Sequence, residues 1–387
     1  MTDKNAPGAA AGTGAKGGYA IVGIVFVLVV GALSLSSVKA VATYRAPPVT
    51  VLDGALVRNF EQHFDKEFPL RTASVNFWTA LQLVLFREGK IGVLLGKDGW
   101  LYTNEEFHVL PRWEQILEQN LELIRWTQAT LAEAKIPLVV VIVPEKAHIY
   151  PEHVGDHRQA TAHGQVMARV RSAIGEQTTL VTLDEVFTAA KAEKPLFFHT
   201  DTHWTPTGAR LAAQAVINAM NAKGLVTKAS DAKAFVTAEQ PETSFEGDLL
   251  SFLPLEPMFP SLMPTADTYV PVVTKAVEKE ASADALLGDD SIPEVAVVGT
   301  SYTANDRWNF QGYLSEFLNE ALADYSKEGI GPFPPMAQYL TGADYAGHKP
   351  RVVIWEIPER SLLGKAALTG IALPESVTTK LATIKPR

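Results

Sequence analysis

Within five residues, His199-Thr200-Asp201-Thr202-His203, the chain sets two imidazoles and a carboxylate at every second position. In an extended backbone successive side chains point to opposite faces, so residues two apart share one. Read as extended, the stretch puts His199, Asp201 and His203 on a single side. A carboxylate beside an imidazole is two parts of a nucleophilic relay. The imidazole takes a proton from a hydroxyl, and the carboxylate orients and stabilises the imidazole. The chain has no cysteine, which excludes thiol catalysis, thiolate zinc sites and disulfides together. The third part is then a hydroxyl supplied from elsewhere.

Ser301 is the candidate. It follows Glu294-Val-Ala-Val-Val-Gly299-Thr300, a buried type of strand closed by a glycine. In open parallel sheets, ligands bind beyond the carboxyl ends of the strands. Gly299 permits a tight strand-to-helix turn, from which the backbone N–H of Ser301 or Tyr302 can face a developing oxyanion. The logic is that of a nucleophile elbow without its Gly-x-Ser-x-Gly signature. On this reading Ser301 is the nucleophile, His203 the base and Asp201 its partner. Other readings fit the same residues. Asp201 or Thr205 caps the helix that Pro206 starts, leaving His203 solvated. Alternatively, His199, Asp201 and His203 ligate a metal; no further carboxylate or histidine cluster accompanies them, so no metal is expected. A Gly-Thr-Ser after a strand also suits a phosphate, but the P-loop lysine is missing. Trp204 is a packing residue or the wall of a sugar site.

The elements that must position these residues alternate. Continuous β-branched runs at 137–144, 179–183, 294–298 and 351–357 read as buried strands. Helical spacing covers 58–87, 111–134, 159–174, 208–222 and 313–327. Gly96-Lys97-Asp98-Gly99 is a turn leading into a short strand at Trp100-Leu101-Tyr102. Residues 224–290, with a turn-like Phe245-Glu246-Gly247-Asp248-Leu249, form an irregular insertion of loops and short strands. Strands alternating with helices imply an α/β fold, a mostly parallel sheet with helices on both faces.

Residues 1–18 are a Gly- and Ala-rich tail of disordered composition. An uncharged apolar run over 19–38 is long enough to cross a ~30 Å hydrocarbon core as a helix. It exceeds the ~7–15 residue centre of a cleaved signal and has no amphipathic side, which favours an anchor over a signal cut near Ala40 or Ala42, or a core helix. Lys4 and Lys16 precede it and Lys39 and Arg45 follow, so flanking charge does not orient it. A linker at 39–57 then leads to a catalytic domain expected over 58–387. The net charge of −9 and pI near 5.6 argue against nucleic acid as a partner.

The string Asp201-Thr-His-Trp-Thr-Pro-Thr-Gly-Ala209 resembles that of the SGNH-hydrolase-like polysaccharide O-acetyltransferases, the family of the alginate O-acetylation proteins AlgJ and AlgX. Further pieces match in order: Gly99-Trp100-Leu101-Tyr102, Val143-Pro144-Glu145-Lys146 with Tyr150-Pro151-Glu152, Gly247-Asp248-Leu249, Gly299-Thr300-Ser301-Tyr302, and Trp355-Glu356-Ile357-Pro358-Glu359-Arg360. Together they span roughly residues 90–362. The resemblance implies an SGNH-hydrolase-like (flavodoxin-like) sheet with permuted motif order, one N-terminal transmembrane helix, and no cofactor. It implies Ser301, His203 and Asp201 in the roles above. It also implies an exopolysaccharide acceptor, an acetyl donor of the membrane-bound O-acyltransferase (MBOAT) type, and other polysaccharide export proteins as partners. The catalytic domain would stand in the periplasm, anchored to the inner membrane. About 27 residues follow Arg360, which leaves no room for the carbohydrate-binding module of the AlgX kind and favours the AlgJ kind. An acidic chain repels a polyuronate, so for such an acceptor Lys146, Arg307 and Arg360, near the expected strand ends, are candidate binding cations; a neutral glucan acceptor would need none, and the polymer is open. Two alternatives stay open: an anchored carbohydrate acetylesterase using the same triad, and a non-catalytic polysaccharide-binding scaffold of an export complex.

Overall fold

The computed structural model describes residues 14–48, 51–175, 178–226, 232–277 and 292–384. Most of the expected N-terminal tail therefore lies outside the described residues, as do 227–231 and 278–290 of the expected insertion. The chain forms two compact units, one of residues 1–82 with 254–262 and the other of 83–253 with 263–387. Residues 58–82, expected within the catalytic domain, group with the first unit.

The first unit is helical. Gly14–Thr43 is one helix, so the last residues of the expected tail, 14–18, belong to it. Within Ala20–Thr43 lies an exposed apolar stretch of mean hydropathy 2.6, a length and composition that fit a membrane-crossing segment or an export signal. Its end is tied to the Ala55–Glu67 helix: His63 Nε2 lies 3.0 Å from Ala40 O, and the Tyr44 and Phe60 rings meet edge-on at 5.2 Å.

The second unit is built on a five-stranded, wholly parallel sheet. Its order is Leu322–Asp324, Val295–Val298, Val352–Pro358, Leu138–Val143, Thr179–Thr182. The central place belongs to the last strand in the chain. The strands' β-branched runs explain their burial on both faces. Val139, Val141, Val143, Val295, Val297 and Ile354 face one core with the Pro206–Ala222 and Phe310–Leu318 helices. Their neighbours Leu138, Val140, Ile142, Val298 and Trp355 face a second core with the Trp113–Glu133 and Phe333–Thr341 helices. The arrangement is the expected parallel sheet with helices on both faces.

Two expectations change. The helix expected over 313–327 is Phe310–Leu318, stopped by Asn319 in the left-handed region (φ 59°). The freed Leu322–Asp324 segment then pairs with Val295–Val298 as the edge strand, so its apolar residues serve the sheet. Residues 199–203 are not a strand but a tight bend, closed by a single antiparallel bridge between Phe197 and Trp204. The insertion holds two antiparallel pairs, Phe235–Glu239 with Val272–Ala276 and Thr243–Phe245 with Asp267–Tyr269. The first packs against Phe310–Leu318, where Thr237 Oγ1 donates to Glu316 at 2.7 Å.

Phe310 is fully buried between the sheet and Trp204. Phe310→Ala should cost about 3–5 kcal/mol of unfolding free energy. A urea unfolding curve followed by fluorescence checks it, with a drop below 1 kcal/mol contradicting the packing described.

Candidate active site

The His/Asp bend is shaped from beneath by one ammonium. Lys146 starts the short helix after the Leu138–Val143 strand and is 1% exposed. Its Nζ donates to Phe198 O (2.8 Å), His199 O (3.1 Å) and Asp201 O (2.8 Å), which uses all three of its protons. The rings of Trp100 and Tyr102 lie 5.4 and 5.2 Å from it. Burial lowers the Lys146 pKa to about 8, against the upward pull of Glu106, Asp201, Asp267 and Asp248. From above, two insertion carboxylates hold the bend. Asp267 accepts from the backbone of His199 (2.8 Å) and Thr200 (2.9 Å), and Asp248 from Thr202 N (2.9 Å) and Oγ1 (2.6 Å). Gly247 passes so close that a Cβ there would lie 2.2 Å from Thr200 O, so no other residue fits.

Ser301 stands one residue beyond Thr300 at the start of a four-residue helical turn after the Val295–Val298 strand. Buried Glu356, on the central strand, clamps this turn. Its Oε2 accepts from Thr300 N (2.8 Å), Thr300 Oγ1 (3.0 Å) and Thr303 Oγ1 (3.0 Å). Burial raises the Glu356 pKa, while those hydrogen bonds and Arg360 oppose the rise. A Cβ on Gly299 would come within 2.6 Å of Glu356 Oε2 and Thr303 Oγ1, which is why the position before Thr300 is glycine.

The two halves meet. Ser301 Oγ lies 2.7 Å from His203 Nε2, and His203 Nδ1 lies 2.6 Å from Asp201 Oδ1, across 98 residues of chain. Asp201 Oδ1 also accepts from His203 N (2.8 Å), and Oδ2 from Asp248 N (2.8 Å). Burial alone would raise the Asp201 carboxyl; the hydrogen bonds and charge of His203 and the N–H groups of Asp248 and His203 hold it at about 2. Asp201 is thus an ionised acceptor throughout the neutral range. Trp308 stacks on His203 (5.1 Å between centroids) and donates from Nε1 to Ser301 O at 3.1 Å. Such a line can draw a proton from Ser301 Oγ as it attacks a carbonyl carbon. Tyr302 N–H is turned to Thr300 Oγ1 at 3.3 Å, while Ser301 N–H has no acceptor among the described residues. Of the two, Ser301 N–H is therefore the freer donor.

Ser301 opens onto a cavity of about 560 Å³ whose other walls include Asn104, His108, Arg360 and Lys365. Of the cations expected there, only Arg360 reaches it. Its guanidinium is held between Tyr302 Oη (2.8 Å) and Glu105 (3.2 Å). Lys146 is no substrate contact, since it is buried under the bend. Arg307 is exposed and lies over Phe245 at 4.5 Å, outside the cavity walls. Trp204 is fully buried against Tyr302 and Phe310, which makes it core and not the wall of a sugar site. Tyr302 Oη donates to Thr202 O at 2.5 Å, bracing the bend against the serine turn. Thr205, and not Asp201, caps the Pro206–Ala222 helix, accepting from Gly208 N at 3.2 Å. His199 leans away from the relay towards Asp267. Sequence reading missed the positioning roles of Asp248, Asp267, Trp308 and Glu356. Asp248 and Glu356 do sit in strings singled out above, whereas Trp308 and Asp267 carried no local signal.

A parallel sheet with the serine turn and the His/Asp bend at its carboxyl edge is an SGNH hydrolase-like domain. A sequence profile described as "SGNH hydrolase-like domain, acetyltransferase AlgX" matches residues 93–359. The probable alginate O-acetylase AlgJ of Pseudomonas putida is 42% identical over 323 residues, 82% of each chain. That of Pseudomonas aeruginosa is 40% identical over 338 residues, 84% of this chain and 85% of its own. The solved O-acetyltransferase domain of Pseudomonas putida AlgJ superposes with a TM-score of 0.66 at 37% identity, covering 75% of this chain and 99% of that one. Pseudomonas aeruginosa AlgX, at 22% identity, a TM-score of 0.50 and coverage of 72% and 68%, shares the fold. The chain belongs to the SGNH hydrolase-like acetyltransferase family of AlgJ and AlgX.

The depressed Asp201 carboxyl contributes stability that is present above about pH 4 and lost as pH falls through about 2. The stability gap between wild type and Asp201→Asn should therefore shrink by about 2 kcal/mol between pH 5 and pH 2, read from urea midpoints. An unchanged gap contradicts an ionised Asp201. Lys146→Met leaves three carbonyls without their donor, at about 1–3 kcal/mol for each that stays dry. It should lower thermal stability and speed amide hydrogen exchange at 198–202 before elsewhere; unchanged protection there would contradict the role given to Lys146.

Proposed function

We propose that this chain is an O-acetyltransferase that carries an acetyl group on Ser301 and delivers it to hydroxyls of an exported exopolysaccharide, alginate or a similar polyuronate. The observation that carries the reading is the Ser301 Oγ–His203 Nε2 contact of 2.7 Å, continued to Asp201 at 2.6 Å, at the wall of an open cavity. The names of the relatives, alginate O-acetylases, support the polymer.

In the first half-reaction Ser301 Oγ bonds to the acetyl carbonyl carbon while its proton passes to His203 Nε2. The donor's ester bond breaks and the leaving oxygen takes that proton. Next a sugar hydroxyl gives its proton to His203 and bonds to the same carbon, and Ser301 Oγ leaves with the proton returned. The Ser301 N–H is suited to the oxyanion of both steps. Asp201 keeps the imidazole oriented and stabilises its charged form. Water is the rival acceptor, so the sugar must be held in the attacking position. Arg360, which shares the cavity wall with its partner Glu105, and Lys365 are the cations that would meet a uronate carboxylate there. An N-terminal inner-membrane anchor would keep a periplasmic domain near a membrane-bound donor of the MBOAT type and raise its effective concentration.

The test is to mix the full-length protein with a generic acetyl ester, quench it, and map acetylation by mass spectrometry. Ser301 should carry the acetyl group, and Ser301→Ala should lose at least about 1000-fold of the rate. Adding mannuronate oligosaccharide should divert acetyl from water to sugar. Acetate release with no acetylated sugar under any condition would make the protein an esterase. Unaltered polymer acetylation in cells carrying Ser301→Ala would make it a scaffold.

A further inference from the structure

Four buried carboxyls lie behind the relay, and three of them are accounted for. Glu106 accepts from Ala147 N at 2.7 Å, Glu145 lies against His163 Nδ1 (2.5 Å) and Gln159 Nε2 (2.7 Å), and Glu356 clamps the serine turn. Glu359 is different. It is 4% exposed, yet its Oε2 has no hydrogen-bond partner among the described residues. The backbone of Glu145 faces its carboxyl as a donor, but the charged neighbours Glu145, Asp184 and Glu106 carry the same sign. Close by, Asp184 Oδ1 is also buried without a hydrogen bond, and it faces His148 Nδ1 at 3.4 Å. Donor atoms of His148, Asp184 and Glu359 all lie within 4.8 Å of one another.

We propose that His148, Asp184 and Glu359 form a binding site for one divalent metal ion of borderline hardness, Zn²⁺ or Mn²⁺. An imidazole nitrogen with two carboxylates suits these ions better than the oxygen-only preference of Ca²⁺ or Mg²⁺. Ligand bonds of ~2.0–2.2 Å leave adjacent donors about 3–3.5 Å apart, the spacing already present between His148 and Asp184. Closing the widest gap needs a small side-chain adjustment. The His148 side chain is 57% exposed, which gives an ion a path in and leaves coordination positions for water. The three ligands follow three neighbouring strands, Leu138–Val143, Thr179–Thr182 and Val352–Pro358. A bound ion therefore ties together the segments after those strands, including the one that carries Arg360.

The second cluster of this kind, Asp201, His203 and Asp248, is built differently. Both oxygens of Asp201 and both of Asp248 already accept hydrogen bonds, so no donor there is left orphaned. Burial, and then Glu145 and Asp184, raise the Glu359 carboxyl to about 9. A divalent cation between these carboxyls offsets their mutual like-charge repulsion.

Detergent-solubilised full-length protein, stripped with chelator, would be loaded with ZnCl₂ or MnCl₂ and cleared of free ion, and its metal measured by plasma mass spectrometry. About one ion per chain should remain. His148→Ala, at an exposed position that need not disturb folding, and Asp184→Asn should each weaken binding at least tenfold. Asp248→Asn should leave it unchanged. The ion should raise the wild-type Tm and not that of His148→Ala. Retention well below one ion, equal binding by His148→Ala and Asp184→Asn, or loss of the ion in Asp248→Asn would each overturn the assignment.

Discussion

One buried ammonium holds the His/Asp bend in place. Lys146 is taken out of water and fully hydrogen-bonded to the carbonyls of Phe198, His199 and Asp201, so the backbone must turn around it. A charge at that depth is tolerated only when its donors are satisfied. Three carbonyls converging on one nitrogen bend the chain at 198–202, and the bend lets Asp201 reach the ring of a residue two positions on. The side chains of Asp201 and His203 touch because the backbone folds back, not because they share a strand face.

The serine half is set by a second buried group, a carboxyl. Glu356 gathers Thr300 and Thr303 from the central strand and so fixes where the turn exposes Ser301. The halves are then locked by groups that touch both. Tyr302 Oη donates to Thr202 O, Trp204 Nε1 to Tyr302 O, and Trp308 lies on His203 while donating to Ser301 O. These side chains leave the imidazole little freedom, and a relay of this kind needs placement to within a fraction of an ångström.

The strand order explains why such distant residues converge. The last strand takes the centre, so the turns after Leu138–Val143, Val295–Val298 and Val352–Pro358 open on one edge. That edge collects Lys146, Ser301 and Arg360, and with them a surplus of buried carboxyls. The irregular insertion is the other contributor. It brings Asp248 and Asp267 back over the bend, which gives a loop-rich segment a structural purpose that its composition does not reveal.

Much of this was legible in the residues themselves. Four of the five sheet strands announce themselves as β-branched runs, because a strand buried on both faces has no polar face to break the pattern. Ser301, His203 and Asp201 could be singled out because a hydroxyl after a strand-ending glycine and a carboxylate two before an imidazole stand in strings that resemble those of a known family. The edge strand Leu322–Asp324 could not be read, since three residues carry no period and their pairing depends on a distant partner. Charge type and closeness to strand ends suggested Lys146 and Arg307 as acceptor contacts. Only the tertiary structure decided that Lys146 is inside, bonded to carbonyls, and that Arg307 lies outside the cavity walls. Chemical type is a property of the residue, whereas burial and partnership belong to what the rest of the chain brings beside it.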